Sequence, residues 1–243
     1  GALYGRRKIQ EDTRRERDEI LRLTKNEEKR YQELLREQER KRAALEAEIR
    51  EIEDKIRVTI DPSTLPQRGG GVLGWPLSGL SVKPCWNGGE DSQNCLTQPF
   101  GYTSFAAVGG YAGKGHNGAD FRAEIGTPVF AAERGVVEAA GDTDLGCRGA
   151  SYGKWILIRP PNNLSTLYAH LSSTGVAQGQ AVARQDRIGF SGKSGYATGP
   201  HLHFGVFAAE AVKIESIRSK VCGRPMTLPI AATNGYLNPA DYL

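Results

Sequence analysis

Four histidines occur in 243 residues, and each stands where metal chemistry could use it: His116, His170, His201 and His203. His201-Leu202-His203 lies in a run that reads as a strand, and side chains two apart on a strand share a face. The two imidazoles therefore project side by side, while Leu202 and Phe204 turn the other way, toward a core. Burying two adjacent imidazoles without a partner is costly, so a ligand or a cleft accounts for them better than a core does. His116-Asn117-Gly118-Ala119-Asp120 supplies an imidazole and a carboxylate four residues apart. Glycines 109, 110, 113, 115 and 118 crowd this segment and argue against a helix; a glycine-rich loop entering a strand still brings both side chains to one point. His170 ends the run Leu167-Tyr168-Ala169-His170. Taken singly, each has a plain structural reading: an exposed pair, a turn aspartate beside a surface histidine, a strand-end histidine. Together they supply a hydrolytic set, because two histidines and one aspartate can hold a zinc with one position left for water. The remaining two imidazoles are then free for proton transfer. No HExxH-type glutamate base is present, so the histidines must carry the proton work.

Short β-branched runs punctuated by glycine must position these groups. Residues 127–130, 135–138, 154–158, 165–170, 181–183 and 201–206 read as strands, and their spacing suggests an antiparallel β domain. About 170 residues are ample for its own core. Upstream the chain is a different object: all 12 prolines lie at or beyond Pro62, and only Gly1 and Gly5 of the 30 glycines precede residue 69. Residues 6–58 are strong helix formers without proline or glycine. Leu45, Ile49, Ile52 and Ile56 repeat at steps of four, three and four, which is heptad spacing. Ile20, Leu23, Tyr31 and Leu34 extend the stripe, with polar interruptions such as Glu27 and Gln38. The stripe predicts a coiled coil with a weak seam; a solvated single helix is the plainer alternative. The helix should stop near Thr59 or Ile60, ahead of Pro62. The expected layout is a helical segment over 1–60, a Pro/Gly linker over 61–74 and the β domain over 75–243.

His116-x-x-x-Asp120, Tyr168-Ala169-His170-Leu171-Ser172 and Gly195-Tyr196-Ala197-Thr198-Gly199-Pro200-His201-Leu202-His203-Phe204 resemble the signature of the M23 zinc metallopeptidases, the LytM or lysostaphin-like family. The resemblance runs from about Trp75 to Phe207, with Gln98-Pro99-Phe100-Gly101 similar to its first strand and turn. It implies a compact antiparallel β-sheet domain with a long narrow groove. It implies a Zn2+ cofactor bound by His116, Asp120 and His203, with His170 and His201 as unliganded catalytic histidines. It implies endopeptidase action on bacterial peptidoglycan, at stem peptides or cross-bridges, outside the cytoplasm. A helix followed by this domain also resembles LytM-type activators of separate cell-wall amidases, which act in division as binding modules and have often lost the zinc ligands. This sequence keeps the full set, which favours an enzyme. The helical arm then regulates or localises it, through a membrane-associated or coiled-coil partner or by occluding the groove.

The four cysteines form no CxxC pair, which argues against a structural zinc knuckle and for disulfides in an oxidising compartment. Cys85 and Cys95 bracket the polar stretch Trp86–Asp91, so they are expected to pair, leaving Cys147 with Cys222; four separate buried thiols are the alternative. Residues 1–60 carry 17 Lys/Arg against 15 Asp/Glu and the rest 15 against 13. Neither part is an electrostatic magnet, so no nucleic-acid partner is expected. No stretch is long and apolar enough to cross a bilayer. A chain that opens Gly-Ala and runs at once into a charged helix looks trimmed of any signal or anchor.

Overall fold

The computed structural model describes residues 2–85, 94–107 and 115–243, with the backbone alone for residues 2–13 and Phe105. Trp86–Asp91 and glycines 109, 110 and 113 lie outside the described residues. The chain forms two compact units, Gly1–Lys41 and Arg42–Leu243. Helix α1 covers Ala2–Glu53. No helix among the described residues is long and apolar enough to cross a membrane.

The strands are β1 (Ser81–Pro84), β2 (Cys95–Gln98), β3 (Ala119–Arg122), β4 (Pro128–Phe130), β5 (Gly135–Asp142), β6 (Lys154–Arg159), β7 (Leu164–Thr174), β8 (Ala181–Val182), β9 (Arg187–Ser191), β10 (His201–Ala208), β11 (Val212–Arg218), β12 (Pro225–Ala231) and β13 (Tyr236–Leu237). The main sheet runs β1-β2-β3-β10-β7-β6-β5-β8, with β13 against β10 and β9 joining β4 to β7. Its pairings are antiparallel except β1 with β2. β11 and β12 form a separate hairpin. The fold is mainly β with an N-terminal helix, as expected. Both expected disulfides form, Cys85–Cys95 tying β1 to β2 and Cys147–Cys222 tying the β5–β6 connection to the β11–β12 hairpin.

The central strands are apolar on both faces, because each face carries a core. Ile156, Ile158, Tyr168, Leu202, Phe204 and Phe121 belong to one cluster. Trp155, Leu157, Leu167, Ala169 and Phe207 belong to the other, with Val212, Met226, Leu228 and Ile230 of the hairpin. Period-two alternation decides which side chain enters which core.

The second cluster corrects the coiled-coil expectation over the C-terminal part of α1. Leu45 is buried in it, and Ile49, Ile52 and Ile56 pack on it. The heptad spacing thus serves a sheet face, not a partner helix. Ile20, Leu23, Tyr31 and Leu34 are exposed. The helix also stops earlier than expected. Asp54 still bonds to the Arg50 carbonyl, but Lys55 and Ile56 reach back only three residues, to Ile52 and Glu53. Val58, Thr59 and Ile60 then lie outside any helix or strand; their β-branched side chains are poor helix formers, and the domain takes up polar groups around them. Thr233 bonds Asp54, and Asn234 bonds the Val58 carbonyl.

Candidate metal centre and active site

β10 lies between β3 and β7, so His203 stands opposite Asp120 on one side and Ala169 on the other. Leu202 and Phe204 point into the first core, as the alternation predicted, and His203 faces the side of the second. His116 is carried in by a two-way backbone bridge with Gly101. Gly118 passes directly over the His203 ring: a Cβ there would lie 2.6 Å from Cε1 and 2.7 Å from Nε2. Only glycine permits that approach.

His170 arrives by a different route. Alternation from Tyr168 would aim it at the first core. Its φ of 60° instead places it in the left-handed region, where a non-glycine residue is held at a cost of about 1–3 kcal/mol. The β6–β7 and β7–β9 registers shift around it. The ring is thereby brought beside His201, with centroids 4.6 Å apart, and 5.8 Å from His203.

Backbone carbonyls fix the tautomers. Nδ1 of His116 lies 3.0 Å from the Pro99 carbonyl, Nδ1 of His170 2.8 Å from Ser194, and Nδ1 of His201 2.8 Å from Gly199. A carbonyl only accepts, so each neutral ring keeps its proton on Nδ1 and its lone pair on Nε2. Nε2 of His116, Nδ1 of His203 and Oδ1 of Asp120 then converge. Their separations are 3.1 Å between the rings, 3.2 Å from His116 to Asp120, and 2.9 Å from His203 to Asp120. All three residues are buried, and they form a group that could hold a metal ion.

Two features show that a cation fits. A tetrahedral ion with bonds near 2.0–2.1 Å has ligand–ligand edges of about 3.3 Å, the size of this triangle. Moreover, His116 Nε2 and His203 Nδ1 both turn toward one Asp120 oxygen, 3.2 and 2.9 Å away, so that two imidazole nitrogens and a buried carboxylate oxygen face a single point, the donor set a cation takes. Asp120 is a carboxylate: burial alone would raise its pKa, but His116, His203 and His201 outweigh burial and hold it well below the usual range. Burial lowers the pKa of His203 and, with the neighbouring His201 and His203, pushes that of His170 well down. His170 is therefore a neutral imidazole with an available lone pair at neutral pH. The second Asp120 oxygen lies 3.7 Å from His201 Nε2.

All five residues singled out from the sequence thus meet at one place. They line a cleft of about 310 Å3 together with groups that sequence reasoning missed. Tyr152 packs 5.7 Å from His203 and accepts a hydrogen bond from Asn117. Glu46, Ile49, Arg50 and Glu53 of α1 form another wall. Arg50 donates to the Gly115 carbonyl at 3.2 Å and pairs with Glu53 at 3.0 Å, and Glu53 accepts from the Tyr236 hydroxyl. The heptad of the helix pointed at its apolar face; nothing in the spacing of its charges pointed at the cleft.

Residues 114–214 match peptidase family M23. The match takes in β3 to β10 of this chain, the strands that carry the site. Relatives of the chain include the DD-carboxypeptidase/endopeptidase Mpg of Neisseria meningitidis serogroup B, 40% identical over 109 residues, 45% of this chain and 23% of that protein. The peptidoglycan DD-endopeptidase ShyA of Vibrio cholerae is 44% identical over 90 residues, 37% of this chain and 19% of that protein. The chain spans about a fifth of the length of these curated relatives. Among solved structures, the catalytic domain of lysostaphin from Staphylococcus simulans is 34% identical, with 47% of this chain and 80% of that one covered and a TM-score of 0.40. The M23 match contains His116, Asp120, His170, His201 and His203, the whole of the cluster.

Proposed function

We propose that this chain is a zinc-dependent endopeptidase that hydrolyses peptide bonds of bacterial peptidoglycan, and that it works outside the cytoplasm, where that substrate is. The observation that carries the reading is the buried triangle of His116 Nε2, Asp120 Oδ1 and His203 Nδ1 inside the segment that matches family M23, with the imidazoles of His170 and His201 beside it. The relatives named as peptidoglycan endopeptidases support the substrate class. The two disulfides accord with an oxidising compartment.

His116, Asp120 and His203 would hold the zinc. When bound, zinc supplies a Lewis acid and lowers the pKa of water toward about 7. His170 and His201 both present Nε2 to the cleft. One accepts the proton of the attacking water and delivers it to the leaving amine; the other, as a donor, stabilises the oxyanion. Burial and the neighbouring imidazoles push the pKa of His170 well down, so we assign it the base role, and His201, whose Nε2 lies 3.7 Å from Asp120, the donor role. The Ser194 and Gly199 carbonyls hold each ring for that work.

The test is incubation of the zinc-loaded protein with purified peptidoglycan and mass analysis of what is released. Release of peptide-cleaved fragments, abolished in His170→Ala at unchanged zinc content, is the expected result. If the wild-type protein binds zinc and releases nothing from any peptidoglycan, even after α1 is detached from the cleft, the reading fails.

A further inference from the structure

Behind the metal triangle, the supports of three site histidines converge on one residue, Tyr152. It lies near the end of the β5–β6 connection and is buried in the second core. Its neighbours on both sides are in the left-handed region, Ser151 with φ 48° and Gly153 with φ 62°. The Tyr152 carbonyl accepts from the His170 amide at 2.8 Å, at the residue that departs from the strand pattern. The ring lies 5.7 Å from that of His203, tilted by 40°. The hydroxyl accepts from the Asn117 side-chain amide at 2.9 Å. Asn117 stands between the ligand His116 and Gly118, the residue that closes over the His203 ring. The turn that presents Tyr152 is itself held from two sides. The Gly153 amide donates to the Thr143 hydroxyl at 2.8 Å, and the Ser151 carbonyl accepts from the Tyr196 amide at 2.8 Å. Gly153 packs on the loop that orients His170 so closely that a Cβ would lie 2.3 Å from the Ser194 carbonyl carbon; only glycine fits there.

We propose that Tyr152 is a positioning residue for the metal centre: its hydroxyl, through Asn117, holds His116 at the spacing that the triangle with Asp120 and His203 requires, while its ring backs His203. The effect on turnover rests on the peptidase reading; the effect on metal rests on the buried triangle alone. Neither Tyr152 nor Asn117 belongs to that triangle. A phenylalanine would fill the same volume in the core, so what tyrosine adds is the acceptor for Asn117. His116 is otherwise fixed from its other side, by the bridge to Gly101 and the Pro99 carbonyl. Releasing Asn117 frees the stretch that must bring Gly118 against the His203 ring. A ligand set works only when it is held to within about 0.5 Å, and groups behind the ligands are what hold it.

The test compares the full chain with three variants: Tyr152→Phe, which keeps ring and carbonyl and removes the hydroxyl; Asn117→Ala, which removes the other partner; and the two combined. Four quantities are read: zinc affinity by competition with a chelator, the visible bands of the cobalt(II)-substituted protein, which report ligand geometry, kcat and KM on solubilised peptidoglycan, and Tm of the metal-free protein. Tyr152→Phe is expected to weaken zinc binding about 10–100-fold, to shift the cobalt bands, and to lower kcat with KM unchanged. The double variant should lose no more than the worse single one, because both changes remove one interaction. A fall in Tm with zinc affinity and cobalt bands unchanged would leave Tyr152 a core residue and overturn the proposal. A raised KM with the metal readouts unchanged would place the hydroxyl on the substrate and overturn it equally. If the metal readouts change as expected and the wild-type chain cuts no peptidoglycan, the positioning role stands and it is the peptidase reading that fails.

Discussion

At the level of single residues, the site is a matter of which nitrogen keeps its lone pair. His116 gives Nε2 because Pro99 claims its Nδ1 proton, whereas His203 gives Nδ1. Nε2 of His203 is buried without a hydrogen-bond partner among the described residues, which leaves it as the place for that ring's proton when Nδ1 coordinates. His203→Ala and Asp120→Ala are therefore expected to lose stoichiometric zinc, read by metal analysis after dialysis. His170→Ala should keep zinc and lose activity by about 10²–10⁴-fold, the usual contribution of a positioned acid or base. Gly118→Ala tests the fit from the other side. Its methyl group would sit inside van der Waals contact of the His203 ring, so zinc affinity should fall although no ligand is changed. The ligand types and their spacing were legible in the sequence because side-chain chemistry is written there. The Pro99, Ser194 and Gly199 carbonyls were not, since every residue carries one and only the fold selects which is aimed at a ring. Nor does anything in Tyr168-Ala169-His170 announce the left-handed turn that brings His170 to the site.

Secondary-structure elements decide whether these residues stay where they are needed. The loop from Ser194 to Pro200 supplies the carbonyls that orient His170 and His201, and it is clamped by Asp144 on the β5–β6 connection. One Asp144 oxygen accepts from the Gly149 amide at 2.6 Å and the other from the Gly195 amide at 2.9 Å. Asp144→Ala should loosen the Ser194 carbonyl from His170 and lower kcat roughly tenfold, a fraction of what removing the imidazole costs. Zinc content should be unchanged, because none of the three ligands rests on that loop. A parallel loss of zinc would show the clamp to be a general structural prop. At this scale the sequence was legible where period-two alternation is unambiguous, as in β6, β7 and β10. It misled in α1, where Leu45, Ile49, Ile52 and Ile56 satisfy a heptad and a sheet face equally well. A stripe of aliphatic side chains specifies that something apolar covers it; the covering surface, built from Trp155, Phe207 and the β11–β12 hairpin, is assembled from residues far away in the chain.

For the molecule as a whole, the contact between helix α1 and the β domain is expected to depend on pH. Burial pushes the Glu46 carboxyl up to about 7 from an ordinary 4.5, against the opposing pull of Arg50. The groups lining the cleft around it include His170 and His201, Tyr196 and Asp120, besides Arg50 and Glu53 of its own helix. A raised carboxyl means that the docked state binds more protons than the released one between these two pH values. Docking is thus most favourable below about 4.5, weakens as pH rises toward 7, and carries the full penalty above it; the change in the docking equilibrium is at most about two to three orders of magnitude. The measurement belongs on zinc-free protein, because a divalent cation in the same cleft favours the carboxylate and narrows the window. Hydrogen exchange of residues 42–53 should accelerate, relative to its intrinsic rate at each pH, as pH is raised from 5 to 8. Glu46→Gln, which keeps the shape and cannot ionise, should flatten that dependence and hold the helix down at pH 8. Retention of the wild-type pH dependence in Glu46→Gln would assign it to another group, and Glu53, buried beside Arg50 and Tyr236 with its pKa also raised by burial, is the next to replace.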